Sequence, residues 1–211
     1  MDILKPVSEI FTPDFRQARV RLRSADLSMR PVTLEDHHAE LEEITLDAEV
    51  PEHVRQHMET AKNLMLYSWY VYRFIPVAEL HAYSAFEMAL RLSLSADDDK
   101  VTFRPLLKKA IDNGLLKTQD FALFAEPNPF PIVSGNALID ANLPPDIRAH
   151  PDFMQIFLNA IVALRNLLAH GSPSIWPSGV MTLHVMATAI NALFRNGDVR
   201  QSVAASTLVD G

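Results

Sequence analysis

The spacing of apolar positions changes character near residue 51. Before it the periodic pieces are short. Residues 18–23, Ala-Arg-Val-Arg-Leu-Arg, alternate as an edge strand does, and Thr33 to Val50 carries carboxylates and apolar residues in the manner of a solvated helix. With prolines at 6, 13 and 31, residues 1–50 read as an N-terminal extension. From Pro51 the periods lengthen. One helical pattern opens at Pro51, a residue suited to a helix start, and runs to Pro76, which is predicted to end or kink it. A second begins at Pro76 and runs to the polar turn at 96–100. A third, from Phe103, stops at Asn113-Gly114. Residues 126–151 hold six prolines and predict a long irregular connection, a kind of segment that often carries function. The next helix spans Asp152 to His170, with Gly171 at the position favoured just past a helix end. A last helix, Val180 to Phe194, precedes a polar tail at 196–211. The expected fold is all-α: an antiparallel bundle of four or five principal helices over 51–195, behind an N-terminal extension.

Composition narrows the function classes. The chain has no cysteine, which removes disulfide frameworks, thiolate metal sites and cysteine nucleophiles and fits a reducing, cytoplasmic setting. The N-terminus has no long apolar stretch and is not read as a secretory signal. The most apolar window, Leu64 to Leu80, is interrupted by Arg73 and Pro76 and is too short to span a bilayer, so no membrane partner is expected. A net charge of −7 argues against a large nucleic-acid surface. Its distribution weakens that argument, because residues 31–60 hold nine carboxylates against Arg55 alone, a balance of −8 that leaves +1 for the rest. With six glycines, and no phosphate loop, nucleophile elbow or zinc-ligand pair, no cofactor and no metal are expected.

The chemistry concentrates at the end of the penultimate helix, Ala163-Leu164-Arg165-Asn166-Leu167-Leu168-Ala169-His170. At about 100° per residue, Phe153, Ile156, Phe157, Ala160, Ile161, Leu164 and Leu168 share one face, which is expected to pack on the domain. Measured from Leu164, Arg165 falls near 100°, Leu158 near 120°, Ala169 near 140°, Val162 near 160°, Asn166 near 200° and His170 near 240°. That far side lacks the Lys and Glu of a solvated face, so it is expected to meet a second copy of the chain. Arg165 and His170 lie about 140° apart and do not aim at one point within a single helix, whereas two copies would bring two of each together. Arginine offers a planar fork of donors to phosphate oxygens. Histidine can take a proton from a ribose 2′-hydroxyl or give one to a leaving oxygen, and Asn166, one turn before His170, is placed to orient it.

These residues resemble the hallmark of the HEPN family (higher eukaryotes and prokaryotes nucleotide-binding): an Arg, four to six residues, then a His, often with Asn after the Arg. Arg165, Asn166 and His170 carry the motif here. The earlier helix, with Glu87 and Arg91 among small and apolar residues, is similar to the family's second pattern, and the helix from Phe103 resembles the segment between them. The resemblance covers roughly residues 51–195. It implies an all-helical homodimer with paired motifs in a cleft, and in many members a metal-independent ribonuclease of toxin–antitoxin or phage-defence systems, with RNA or a nucleotide as ligand and an antitoxin or other protein as partner. It assigns Arg165 and His170 as active residues, with Asn166 in support.

Plainer readings stand beside these. Arg165 suits an ion pair with Glu87 on the neighbouring helix, and His170 suits a helix C-terminus as a dipole-compensating group. Glu87 and Arg91, four apart in the favourable order, form a local helix pair that supports the site from outside. His81 and Tyr83 are expected to complete hydrogen bonds near that stripe. The aromatic run from Tyr67 to Phe74 is read as core of a long helix, and the adjacent His37 and His38 point apart, which is poor geometry for a metal.

Overall fold

The computed structural model describes residues 4–17, 21–23, 29–96, 100–121, 151–171 and 179–209. Six α-helices carry it: α1 (Leu34–Glu42), α2 (Glu52–Tyr67), α3 (Phe74–Ser93), α4 (Phe103–Asp112), α5 (Phe153–Ala169) and α6 (Gly179–Val209). Two three-residue strands, β1 (Arg21–Arg23) and β2 (Met29–Pro31), pair antiparallel with Leu22 opposite Arg30. The protein is an all-α bundle. Residues 126–150 of the proline-rich connection lie outside the described residues.

α3 is the hub, packed against α2, α4, α5 and α6. Its buried side presents Ala78, Ala82, Ala85 and Ala89, each without a bulky side chain, so neighbouring helices approach closely while Phe86 and Leu90 fill the spaces between them. α2 contributes Val54, Met58, Ala61 and Met65, and α4 contributes Phe103, Leu106, Leu107 and Ala110. Both sets follow helical spacing. Gly179 opens α6 where space is shortest: a Cβ there would lie 2.6 Å from Met65 Cε and 2.8 Å from Ile75 Cγ2.

Local chemistry sets the helix ends. Thr33 and Asp36 form a reciprocal capping box at the start of α1, and Arg30 of β2 donates to Asp36 at 2.7 Å, tying the small sheet to the helix. α1 is only half solvated, since Leu41, Ile44 and Val50, on it and just after it, enter the common core. His37 turns inward, its Nε2 2.9 Å from the Met65 carbonyl and its ring stacked on Trp69, while His38 faces solvent. α4 ends at the Asn113-Gly114 pair, with Gly114 at φ 64°.

Three expectations need correction. The helix from Pro51 ends at Tyr67, well before Pro76: its last carbonyls are taken up by the turn that follows, Leu66 accepting from Trp69 and Tyr67 from Tyr70 and Val71, while the Ser68 and Trp69 carbonyls just past it accept from the Gln17 side chain and the Asp14 N–H. The aromatic run therefore forms the connection into α3, where Trp69 is buried, Tyr72 packs under the Arg16 guanidinium and Tyr70 meets Phe11 edge-on. Pro76 sits inside the first turn of α3, where its missing N–H costs no helical bond. At the other end, α6 runs on through the supposed polar tail to Val209, since no proline interrupts it.

Candidate functional site

α5 is apolar on nearly every side, so its periodicity alone does not fix which face turns inward. Phe153, Phe157, Leu158, Ile161 and Val162 are buried, with Phe121 closing against Phe153 and Phe157. The buried stripe is thus rotated by about 60° from the predicted one. Leu158 and Val162, assigned to the far side, are core, whereas Ala160 and Leu164, assigned to the core, are exposed. Leu164 and Leu167 are each 41% exposed, and with Ala160 and Ala163 they leave an uncharged apolar strip on the outer face of α5. Asn159, Asn166 and His170 stand exposed along the same face.

Arg165 shares the buried side of α5 at its C-terminal end and donates through Nη2 to Glu87 Oε2 of α3 at 3.2 Å. The other oxygen of Glu87 accepts from Arg91 Nη2 at 3.0 Å, and Arg91 also donates to the Val101 carbonyl at 2.8 Å just ahead of α4. One carboxylate therefore spaces two guanidiniums, and the three side chains join α3, α4 and α5. Arg165 further lies 5.9 Å from the centroid of the Phe103 ring, within reach of its π face. The expected Glu87–Arg165 and Glu87–Arg91 pairs are both present.

Beside this network opens a pocket of about 410 Å³, lined by Glu87, Arg91, Val101, Thr102, Phe103, Arg104, Val162, Arg165 and Asn166. Asn166 is within 3.5 Å of Arg165 Nη1, and Arg104 is steadied by Asn159 at 2.9 Å, which itself accepts from Gln155. His170 does not join them. It caps α5, its N–H bonded to the Asn166 carbonyl at 3.0 Å, and its side chain is exposed outside the pocket lining. Gly171 follows at φ 81°, the left-handed conformation that closes the helix. Within one chain, then, Arg165, Asn166, Glu87 and Arg91 come together, and His170 stands apart.

Sequence reasoning missed Arg104, whose only signal was its place one helical turn before Lys108 in a basic, apolar segment. It also missed Glu79, buried at 6% exposure in the α3–α6 seam, where it accepts from the Thr182 hydroxyl at 2.8 Å. Burial pushes this carboxyl up to about 7 against the partial offset of that hydrogen bond. Tyr83 is held above the usual phenol range, by burial first and by the Glu79 charge second. His81 stacks on His57 at 4.9 Å, and its ring is held below the ordinary imidazole value by burial and by that neighbour. Among the described residues, no hydrogen bond links His81 or Tyr83 to Glu87, whose carboxylate accepts from Arg91 and Arg165. Among the same residues no group of three or more His, Asp or Glu is placed to hold a metal ion, and no helix is long and apolar enough to cross a membrane.

Comparison with protein-family models, curated proteins and solved structures returns no match to the chain.

Proposed function

We propose that the chain is a metal-independent ribonuclease resembling the HEPN family, acting in a cytoplasmic setting at a site shared by two copies. The observation that carries this reading is the outer face of α5: an uncharged strip of Ala160, Ala163, Leu164 and Leu167, bordered by His170 and by Asn166, which also lines the pocket holding Arg165. Pairing two such faces about a two-fold axis would bury the strip and set the histidine of each chain near the motif of the other. In that cleft His170 takes the proton of a ribose 2′-hydroxyl, the 2′-oxygen attacks phosphorus, and the 5′-oxygen leaves with a proton returned to it. The products are a 2′,3′-cyclic phosphate and a 5′-hydroxyl end. Arg165 neutralises the phosphate oxygens and Asn166 positions them. A toxin–antitoxin or phage-defence role, with a neighbouring protein as inhibitor, belongs to the same reading.

Incubating the purified protein with RNA in excess chelator tests it. Cleavage that His170→Ala abolishes is the expected result; no cleavage by the wild type, or an unchanged rate in the variant, overturns it.

The Glu87–Arg165–Arg91 network favours a second reading, a non-catalytic helical module in which Arg165 organises the fold and the dimer while a nucleotide, RNA or protein binds. In that case Arg165→Ala weakens folding or dimerisation, and no hydrolysis occurs under any condition.

A further inference from the structure

The seam between α2 and α3 holds two imidazoles face to face. His57 of α2 and His81 of α3 stack with ring centroids 4.9 Å apart and planes 21° from parallel. Both side chains are half-buried. Among the described residues neither ring has a hydrogen bond or an ion pair to the protein, and Nδ1 of His57 is a buried atom without a partner.

Such a pair is stable only while it carries little charge. A neutral imidazole has one N–H, so His57 can keep its proton on Nε2 and leave Nδ1 bare. The imidazolium carries an N–H on both nitrogens, and the one at Nδ1 then sits in a buried place with no acceptor. Two imidazoliums 4.9 Å apart also repel, so the second proton is harder to add than the first. His81 feels both burial and its neighbour: burial first, and the His57 charge second, hold its ring below the ordinary 6.5.

The surrounding charged groups are engaged elsewhere. Glu79, two residues before His81 and about 200° round α3, accepts from Thr182 of α6. Glu87, further along α3 where α4 and α5 meet it, is taken up by Arg91 and Arg165. On α6, His184 has Glu43 as its charged neighbour; on α1, Glu40 has the same neighbour and His37 lies on the Met65 carbonyl. On α2 itself His53 and Arg55 are exposed, Glu59 pairs with Lys62, and Glu52 accepts from Gln56.

We infer that the His57–His81 stack is an acid-released clasp: uncharged, it holds α2 against α3, and protonation of both rings drives the two helices apart there. Release at this seam disturbs the hub, because α4, α5 and α6 pack on the same α3. An opened seam lets both rings hydrate and bind protons that the closed seam refuses. Closure is therefore favoured above the ordinary 6.5 and is lost as pH falls below it. Glu79 acts in the opposite direction, since its burial favours the protonated form. Each refused proton multiplies the open population by up to about tenfold per pH unit. The clasp uses neither Arg165 nor His170, so it stands or falls apart from the ribonuclease reading.

Histidine C–H resonances of the full chain, followed by NMR between about pH 8 and pH 5 beside amide hydrogen exchange of α2 and α3, test the inference. His81, assigned by the signal that His81→Gln removes, is expected to titrate below 6.5 in the wild type and closer to it in His57→Gln, which takes away the neighbouring charge. Amide protection around His57 and His81 should fall by about tenfold or more on acidification, after correction for intrinsic exchange, and by clearly less in either single variant. The double variant should change the response no further than one single variant does, because each already removes the stack. A wild-type His81 that titrates at or above 6.5 overturns the proposal without any variant, and so does an acid loss of protection that is equal in wild type and His57→Gln.

Discussion

Glu87 is the residue on which the candidate site turns, because both guanidiniums take their geometry from its carboxylate. The three side chains are between a fifth and a third exposed, so solvent screens them and their joint contribution stays below that of a fully buried pair. Replacing Glu87 with Ala leaves two positive groups facing each other, and urea unfolding should show a loss of about 1–2 kcal/mol. Part of that loss should return on adding phosphate, which can occupy the vacated space between the arginines. Glu79 makes a separate, pH-dependent contribution. Its folded value of about 7 lies above the ordinary 4.5, so the folded state holds a proton that the unfolded chain releases first. Stability from this group is therefore greatest below about 4.5, falls as pH rises toward 7, and is constant above it. Glu79→Gln should flatten that slope and stabilise the protein at pH 8, by at most about 3 kcal/mol on the size of the shift. An unchanged slope would show that Glu79 is not held protonated.

At the scale of the element, α5 presents two faces that differ in consequence. Phe157 is buried among Phe121 and Phe153, and Phe157→Ala should cost about 3–5 kcal/mol as the cavity it leaves fails to close. Leu164 and Leu167 are exposed at the surface and outside the buried core, so Leu164→Asp with Leu167→Asp should change the unfolding midpoint of the isolated chain far less than Phe157→Ala does. The same pair should abolish self-association in analytical ultracentrifugation if the face is an interface. The sequence made α5 legible as a helix with definite ends: apolar periodicity, Gly171 and the cap at His170 are local facts. It did not reveal its rotation, because apolar residues surround the helix and several stripes satisfy the same period. The face that turned inward is the one met by the Phe121 ring and the Glu87 carboxylate, both distant in sequence. The end of α2 was hidden for a similar reason, since Asp14 and Gln17, some fifty residues earlier, bond the Trp69 and Ser68 carbonyls of the turn just past it.

For the whole molecule, a face such as the outer side of α5 makes stability depend on concentration if two copies bury it. The thermal midpoint should then rise with protein concentration, and that rise should vanish in the Leu164→Asp, Leu167→Asp variant. The sequence by itself determined the helical class, the position of α3, α4 and α5 along the chain, the stops at Gly114 and Gly171, and the pairing of Glu87 with Arg91. Each of these rests on residues within one or two helical turns of one another, where periodicity, caps and i,i+4 contacts act. The tertiary structure decided the rest. It turned α5 so that Leu158 and Val162 face inward, drew Arg104 into the pocket beside Glu87 and Arg165, left His170 outside it, and buried Glu79 in a seam with α6. Those outcomes depend on which helix lies beside which, and the energy that selects the neighbours is summed over contacts far apart in the chain.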